Sequence, residues 1–185
     1  MQITYQDKEF INQNENIPLV NKVTDDDMNE IKNVVNSNYT SILNTINHIN
    51  EYITASPSSD ATLSDTIVTK IPLNTSIGVG ASLTLNDGEI VVGAGVSKVL
   101  VNGNILFTTG GVNSGSIRGI HIQLNGTTVH YCNIGSTNTY TGASVSPFLL
   151  NVQENDKITL CGFNSTTTGS IVTKANTFLT VKVVE

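Results

Sequence analysis

Two hydrophobic periods divide the chain. Between residues 24 and 53, Met28, Ile31, Val35, Tyr39, Ile42, Ile46, Ile49 and Ile53 recur three or four positions apart, and the residues between them are mostly Asn, Ser, Thr, Lys and Glu. A narrow apolar stripe on an otherwise wet helix is the pattern of a coiled-coil seam. Thr24 with Asp27 forms a capping-box start, and Asp25 and Asp26 put negative charge at the positive end of the helix dipole. Pro57, inside the Ser-rich run 56–60, marks the end. A helix over this stretch would be ~45 Å long at ~1.5 Å per residue. Steps of 3, 4 and 4 from Met28 to Tyr39 make an eleven-residue repeat, and steps of 3, 4, 3 and 4 from Tyr39 to Ile53 make heptads. Supercoiling is therefore expected to be slight at first and left-handed later. Isoleucine at both seam positions favours three or more strands. No second helix of comparable length is expected in the chain, so other copies of the chain are the expected cover. The alternative, a helix laid on the β region of its own chain, calls for a wider apolar face.

After residue 56 the period becomes two. Strands are expected at 66–70, 82–85, 89–92, 98–101, 105–108, 117–124, 127–132, 144–152, 157–163 and 177–184, rich in Val, Ile, Thr and Phe. Asn-Asp-Gly, Asn-Gly, Gly-Gly and Asn-Asp separate them as turns. About ten short strands without a helical interruption imply a sandwich or barrel. Residues 1–23 are extended and polar, with apolar patches at 3–5 and 17–20; Pro18 and the Asn-rich run 12–16 argue against a helix there. This segment is read as one that docks onto another protein.

Net charge is −6, with eight acids against three lysines in residues 1–56 and near balance beyond. Neither part has the basic patch that nucleic acid needs. Charged residues are only 13% of the chain, so the surface is polar rather than charged. The start is neither basic nor followed by an apolar core, which reads as no signal peptide and synthesis in the cytoplasm. No apolar run approaches the ~20 residues of a membrane span, so no membrane insertion is expected. Cys132 and Cys161 each sit in a strand-like run and read as free thiols. Four Asn-x-Ser/Thr sequons, at Asn38, Asn74, Asn125 and Asn164, are what an Asn- and Thr-rich chain produces by chance.

Candidate chemistry is sparse. With Asn125-Gly126 as a two-residue loop, Leu124 faces Thr127 and His121 is set opposite His130. One face then reads Ile117, Gly119, His121, Gln123, Thr128, His130 and Cys132, while Arg118, Ile120, Ile122, Leu124, Val129 and Tyr131 form the core side. His121, His130 and Cys132 are the weak metal candidates, without an evident fourth ligand. Catalysis finds little support: Gly111-Val-Asn-Ser-Gly lacks the nucleophile-elbow spacing, and Gly78-x-Gly80 and Gly93-x-Gly95 lack a dinucleotide site's third glycine. The chain is read as a non-enzyme without a cofactor. Loops longer than turns are the binding candidates, with Asn113, Ser114, Ser136, Asn138, Tyr140 and Thr166 as their hydroxyls, amides and single aromatic.

Two resemblances organise these readings. The order Glu89-Ile-Val-Val, Val96-Ser-Lys-Val-Leu-Val-Asn-Gly-Asn-Ile-Leu-Phe, Ile117-Arg-Gly-Ile-His-Ile-Gln-Leu-Asn-Gly-Thr-Thr-Val, Phe148-Leu-Leu-Asn-Val-Gln-Glu-Asn-Asp-Lys-Ile-Thr-Leu and Asn176-Thr-Phe-Leu-Thr-Val-Lys-Val-Val resembles the ten-stranded jelly-roll heads of the tumour necrosis factor and complement-type superfamily. A Val-x-x-x-Asp-x-Ile-x-Leu corner recurs in those heads, although Asn155 stands here where glycine is commoner. Such heads are typically homotrimers carried on a trimeric stalk. The run from Pro18-Leu-Val-Asn-Lys-Val-Thr-Asp-Asp-Asp-Met-Asn-Glu-Ile-Lys-Asn-Val-Val to Asn36 is similar to the starts of tail and baseplate proteins of phages infecting Gram-positive hosts.

Together they imply a mainly β chain with an attachment segment at 1–23, a trimeric coiled-coil stalk at 24–56 and a jelly-roll head at 57–185. The implied function is that of a homotrimeric virion fibre. Its partners would be itself, other virion proteins and a host-surface glycan or protein. Alternatives are a structural head fibre or decoration protein and, less favoured, a polysaccharide depolymerase.

Overall fold

The computed structural model describes residues 25–48, 50–63, 67–108, 116–135, 140–165, 170–172 and 175–185. The expected attachment segment, Thr24, stripe position Ile49 and loop residues Asn113, Ser114, Ser136, Asn138 and Thr166 lie outside the described residues. The chain separates into two compact units, one ending at Ile46 and one running Asn47–Glu185.

The first unit contains α1 (Asp25–His48), which starts at the aspartate-rich cap. Met28, Ile31, Val35, Tyr39, Ile42 and Ile46 are exposed along it, from 36% at Met28 to 58% at Ile42, and Val34 and Leu43 are exposed beside them. No described helix is long and apolar enough to cross a membrane.

The helix stops short of the stretch expected for it. Residues 52–56 form a strand instead, and Ile53 is a core residue, 6% exposed. Ile53 and Ala55 alternate with Tyr52, Thr54 and Ser56, and Ile53 faces Val181 across the ladder. The three-to-four spacing that carries the stripe to Ile53 coincides with a period of two, and pairing with strands on both sides decides for β. The 24–56 stalk and the 57–185 head are corrected accordingly: the helix ends at His48, and the β unit takes in residues before Pro57.

The β unit contains β1 (Tyr52–Ser56), β2 (Ala61–Leu63), β3 (Thr69–Lys70), β4 (Thr75–Val79), β5 (Leu83–Asn86), β6 (Glu89–Val92) and β7 (Lys98–Thr108). It continues with β8 (Ile117–Leu124), β9 (Thr127–Gly135), β10 (Thr141–Asn151), β11 (Lys157–Asn164), β12 (Ser170–Val172) and β13 (Phe178–Val183). Two antiparallel sheets result. The first runs β4-β1-β13-β7-β10, with β12 and β2 alongside the end of β7; the second runs β5-β6-β11-β8-β9, with β3 beside β11. The core lies between them and includes Ile53, Val99, Val101, Ile105, Phe107, Ile120, Ile122, Ile158, Leu160, Leu179 and Val181.

The two strands expected at 98–101 and 105–108 are one. β7 passes straight through Asn102-Gly103-Asn104 with strict alternation of burial. Gly103 is there for space: a Cβ would lie 3.2 Å from the Phe178 carbonyl oxygen and 3.4 Å from Ile120 Cδ1 of the facing sheet. The Asn-Gly pair that does turn is Asn125-Gly126, with φ of 51° and 81°, matched by Asp87-Gly88 at 46° and 73°. Both fit the type I′ hairpin, which needs positive φ at both central residues.

Asn155 adopts a φ of 69°, which explains why glycine or asparagine suits that corner. The corner's Asp156 accepts hydrogen bonds from the Gln153 backbone N–H at 2.8 Å and the Asn125 side chain at 2.7 Å, tying the β10–β11 turn to the β8–β9 hairpin.

Gly103→Val should test the space argument. It is expected to lower unfolding free energy by about 1–3 kcal/mol through overpacking, measured by chemical denaturation.

Candidate functional site

The alternation that fills the core also determines what each sheet shows to its other side. On the first sheet, register places Val79, Tyr52, Lys182, Leu100 and Leu149 in one row across β4, β1, β13, β7 and β10. Ile77, Thr54, Thr180 and Asn102 form the next row. Thr54 and Thr180 share a 2.9 Å hydroxyl hydrogen bond in the middle. The most exposed apolar side chains lie at the flanks, with Ile77 at 71% and Val79 at 57% on β4 and Leu149 at 61% on β10. Exposed apolar side chains therefore stand at both edges of this sheet face, two on β4 and one on β10.

The second sheet's outer face is polar and charged. Lys70, Cys161, His121 and Tyr131 form one row, and Glu89, Thr159, Gln123 and Thr128 another. Glu89 lies between Lys157 at 3.6 Å and Lys70 at 3.9 Å, exposed pairs that add little stability. Cys161 is buried, and burial pushes its thiol up to about 11, with Lys70 opposing and Glu89 reinforcing the shift. It is therefore a protonated, unreactive thiol near neutral pH. Lys70 also borders an open groove of about 370 Å³ with Pro72, Leu73, Asn74, Leu85 and Asp87.

The expected His121–His130 pair is not formed. Register runs Leu124 with Thr127 and Gln123 with Thr128, then skips Val129, so that Ile122 faces His130 and His121 faces Tyr131. Val129 is the extra residue of a β-bulge, and it turns every later side chain of β9 to the opposite face. Cys132 and Ile134 consequently pack against the core, His130 stacks on Phe148 at 4.6 Å, and Tyr131, expected on the core side, is 60% exposed. His121 stacks under Tyr131 at 5.3 Å and leans on Phe163 at 6.0 Å. His121 thus lies on one face of the sheet and His130 and Cys132 on the other, so the three do not make one metal site. Among the described residues, no group of three or more His, Cys, Asp or Glu is placed to hold a metal. The alternation of His130, Cys132 and Ile134 was the signal that could have revealed the bulge.

Of the loop candidates only Tyr140 is described; it is 66% exposed, immediately before β10. Thr141 pairs beside Thr108 in the first sheet, Ile117, Gly135 and Asn164 end neighbouring strands of the second, and Arg118 Nη2 donates to the Thr108 carbonyl between the sheets, so these strand ends share one end of the sandwich. The three connections carrying the candidate residues therefore leave or rejoin the sheets at that end.

Both ring nitrogens of His121 are buried without a hydrogen-bond partner. Burial lowers its pKa, and the Asn133 side chain partly opposes this. Protonation is harder in the folded chain than in the unfolded one. Stability is then independent of this residue above the ordinary histidine pKa and falls as pH drops from there to the lowered value. His121→Phe should flatten the pH dependence of the melting temperature below about pH 6.5, removing a slope of at most about 1.4 kcal/mol per pH unit.

No family model matches the chain, and no curated protein does. Among solved structures, murine APRIL at pH 5.0 superposes with a TM-score of 0.56 and 14% identity, covering 72% of this chain and 98% of that one. The Eiger TNF of S. frugiperda gives 0.51 and 13%, covering 73% and 91%. The vertex protein P5 of PRD1 gives 0.49 and 13%, covering 74% and 99%, too loose a match to carry an argument. Such identities show the fold alone. The β unit is a TNF-like jelly roll of two antiparallel sheets.

Proposed function

We propose that this chain is the homotrimeric fibre protein of a phage virion, with α1 as a coiled-coil stalk and the β unit as a head that binds a host-surface saccharide. The observation that carries the assembly is the exposed apolar side chains at opposite edges of the first sheet's outer face, Ile77 and Val79 on β4 and Leu149 on β10. Apolar side chains at both edges suit a head-to-tail contact in which one copy's edge meets the other edge of the next, and such contacts make a ring where the rotation between copies closes. The exposed stripe from Met28 to Ile46 supports the same reading, since isoleucine-rich seams favour three or more strands.

The virion assignment rests on the resemblance of residues 18–36 to tail and baseplate starts, with 1–23 gripping another virion protein. Binding is assigned to the loop end of the head, where Tyr140 is exposed among residues rich in hydroxyls and amides. Three copies would give avidity from individually weak contacts. Sparse, scattered acids support binding rather than hydrolysis of the saccharide.

Light scattering of the full chain should give the mass of three copies at micromolar concentration. Leu149→Glu combined with Ile77→Glu should reduce that mass; an unchanged mass would remove the proposed contact. On a glycan array the wild-type chain should bind a restricted set of saccharides, and Tyr140→Ala should weaken binding about fivefold or more. Absence of saccharide or cell-wall binding would leave the decoration-protein reading, and loss of polysaccharide viscosity on incubation would favour the depolymerase.

A further inference from the structure

The loop end of the sandwich holds a buried charge with which none of the described residues forms an ion pair. Arg118 points into the core side of β8, pairing across to Asn164 on β11 and Ile134 on β9, and it is fully buried. Its Nη2 donates to the Thr108 carbonyl at 3.0 Å, and its guanidinium carbon lies 5.4 Å from the centre of the Phe107 ring. Nε and Nη1 are buried without a hydrogen-bond partner. Thr141, the cross-strand neighbour of Phe107 on β10, is also buried, and its hydroxyl likewise has no partner. Arg118 and Thr141 are thus both neighbours of Phe107, the first by its guanidinium against the ring and the second by cross-strand register.

No carboxylate of the described residues forms an ion pair with Arg118. Glu89 is engaged by Lys70 and Lys157 on the outer face, and Glu185 pairs with Lys98 at the far end of β7. The connections 109–115, 136–139 and 166–169 contain neither Asp nor Glu. A guanidinium stays protonated under all ordinary conditions, although burial lowers the Arg118 pKa. Water could satisfy its N–H groups but would leave the charge uncompensated, and an uncompensated buried charge is strongly destabilising.

We propose that Arg118 and Thr141 form a binding site for a small anion, an oxyanion or carboxylate taken from solution. The anion accepts from Nε or Nη1 of Arg118 and from the Thr141 hydroxyl, and it supplies the negative charge that the described residues do not bring to Arg118. The site goes beyond the fibre reading and does not depend on it.

Thermal melting of the full chain in low-millimolar sodium sulfate, against sodium chloride of equal ionic strength, tests the site. Sulfate is expected to raise the melting temperature by several degrees and then saturate, as ligand binding to the folded state requires. Sodium formate tests the carboxylate class in the same way. Arg118→Met should abolish the rise and melt no lower than wild type in anion-poor buffer, because replacing a buried charge by an apolar side chain is often neutral or stabilising. Thr141→Val should shift the sulfate midpoint upward several-fold.

If Arg118→Met does not fold, the Arg118 Nε–H resonance of the wild-type chain decides: it should move on sulfate addition with the same midpoint as the melting curve. No ion-specific rise, an equal rise in Arg118→Met, or an unmoved resonance would overturn the site. So would an Asp65→Asn variant that loses stability only when Arg118 is present, because the counter-charge would then be internal.

Discussion

The eleven-residue alternation of β7 is the constraint on which the head depends. Val99, Val101, Ile105 and Phe107 face the core, and Gly103 in their midst leaves room for Ile120 and Ile122 of the other sheet. β7 also pairs with β10 along one edge and with β13 and β12 along the other, so its register is transmitted to the whole first sheet. A slip of one residue would turn Phe107 outward and Leu106 inward and reverse every row of the outer face. The same alternation that builds the core therefore sets which side chains the sheet offers to another molecule.

The two outer faces are chemically different. The first sheet carries Ile77, Val79, Tyr52 and Leu149, which favour burial against another surface; the second carries the Lys70–Glu89–Lys157 cluster, Gln123 and Thr128, which favour water. That division leaves one face with exposed apolar side chains and one that is polar and charged. The loop end is different again, with Tyr140 exposed and Arg118 buried without a partner carboxylate among the described residues. Substitutions on these three parts of the head can then be read separately, because their side chains lie on different surfaces.

Most of the head is legible in the sequence because most of its strands alternate cleanly. β6 and β8 lie within the bounds that their alternation gives, and Asn155 takes the left-handed conformation that its corner demands. Three features were hidden, each because a local signal had two readings. Ile53 satisfies a helical stripe and a strand alternation alike, and only the partners on β13 and β4 decide between them. Asn102-Gly103 carries the residues of a hairpin turn, yet the glycine is needed for inter-sheet clearance. The hairpin from Ile117 to Gly135 has the expected turn, but the bulge at Val129 sends His121 and His130 to opposite faces. The short strands β1, β2, β4 and β12 depend on pairing rather than propensity; β4, with Gly78 as its fourth residue and all five residues exposed, is a strand through its ladder with β1.

The central proposal is that the head assembles through its own sheet rather than through the helix. Sedimentation equilibrium of a fragment comprising residues 50–185 at micromolar concentration tests it most directly. A folded species with the mass of three fragments is the expected result. A folded fragment with the mass of one would contradict the claim and return assembly to the helix.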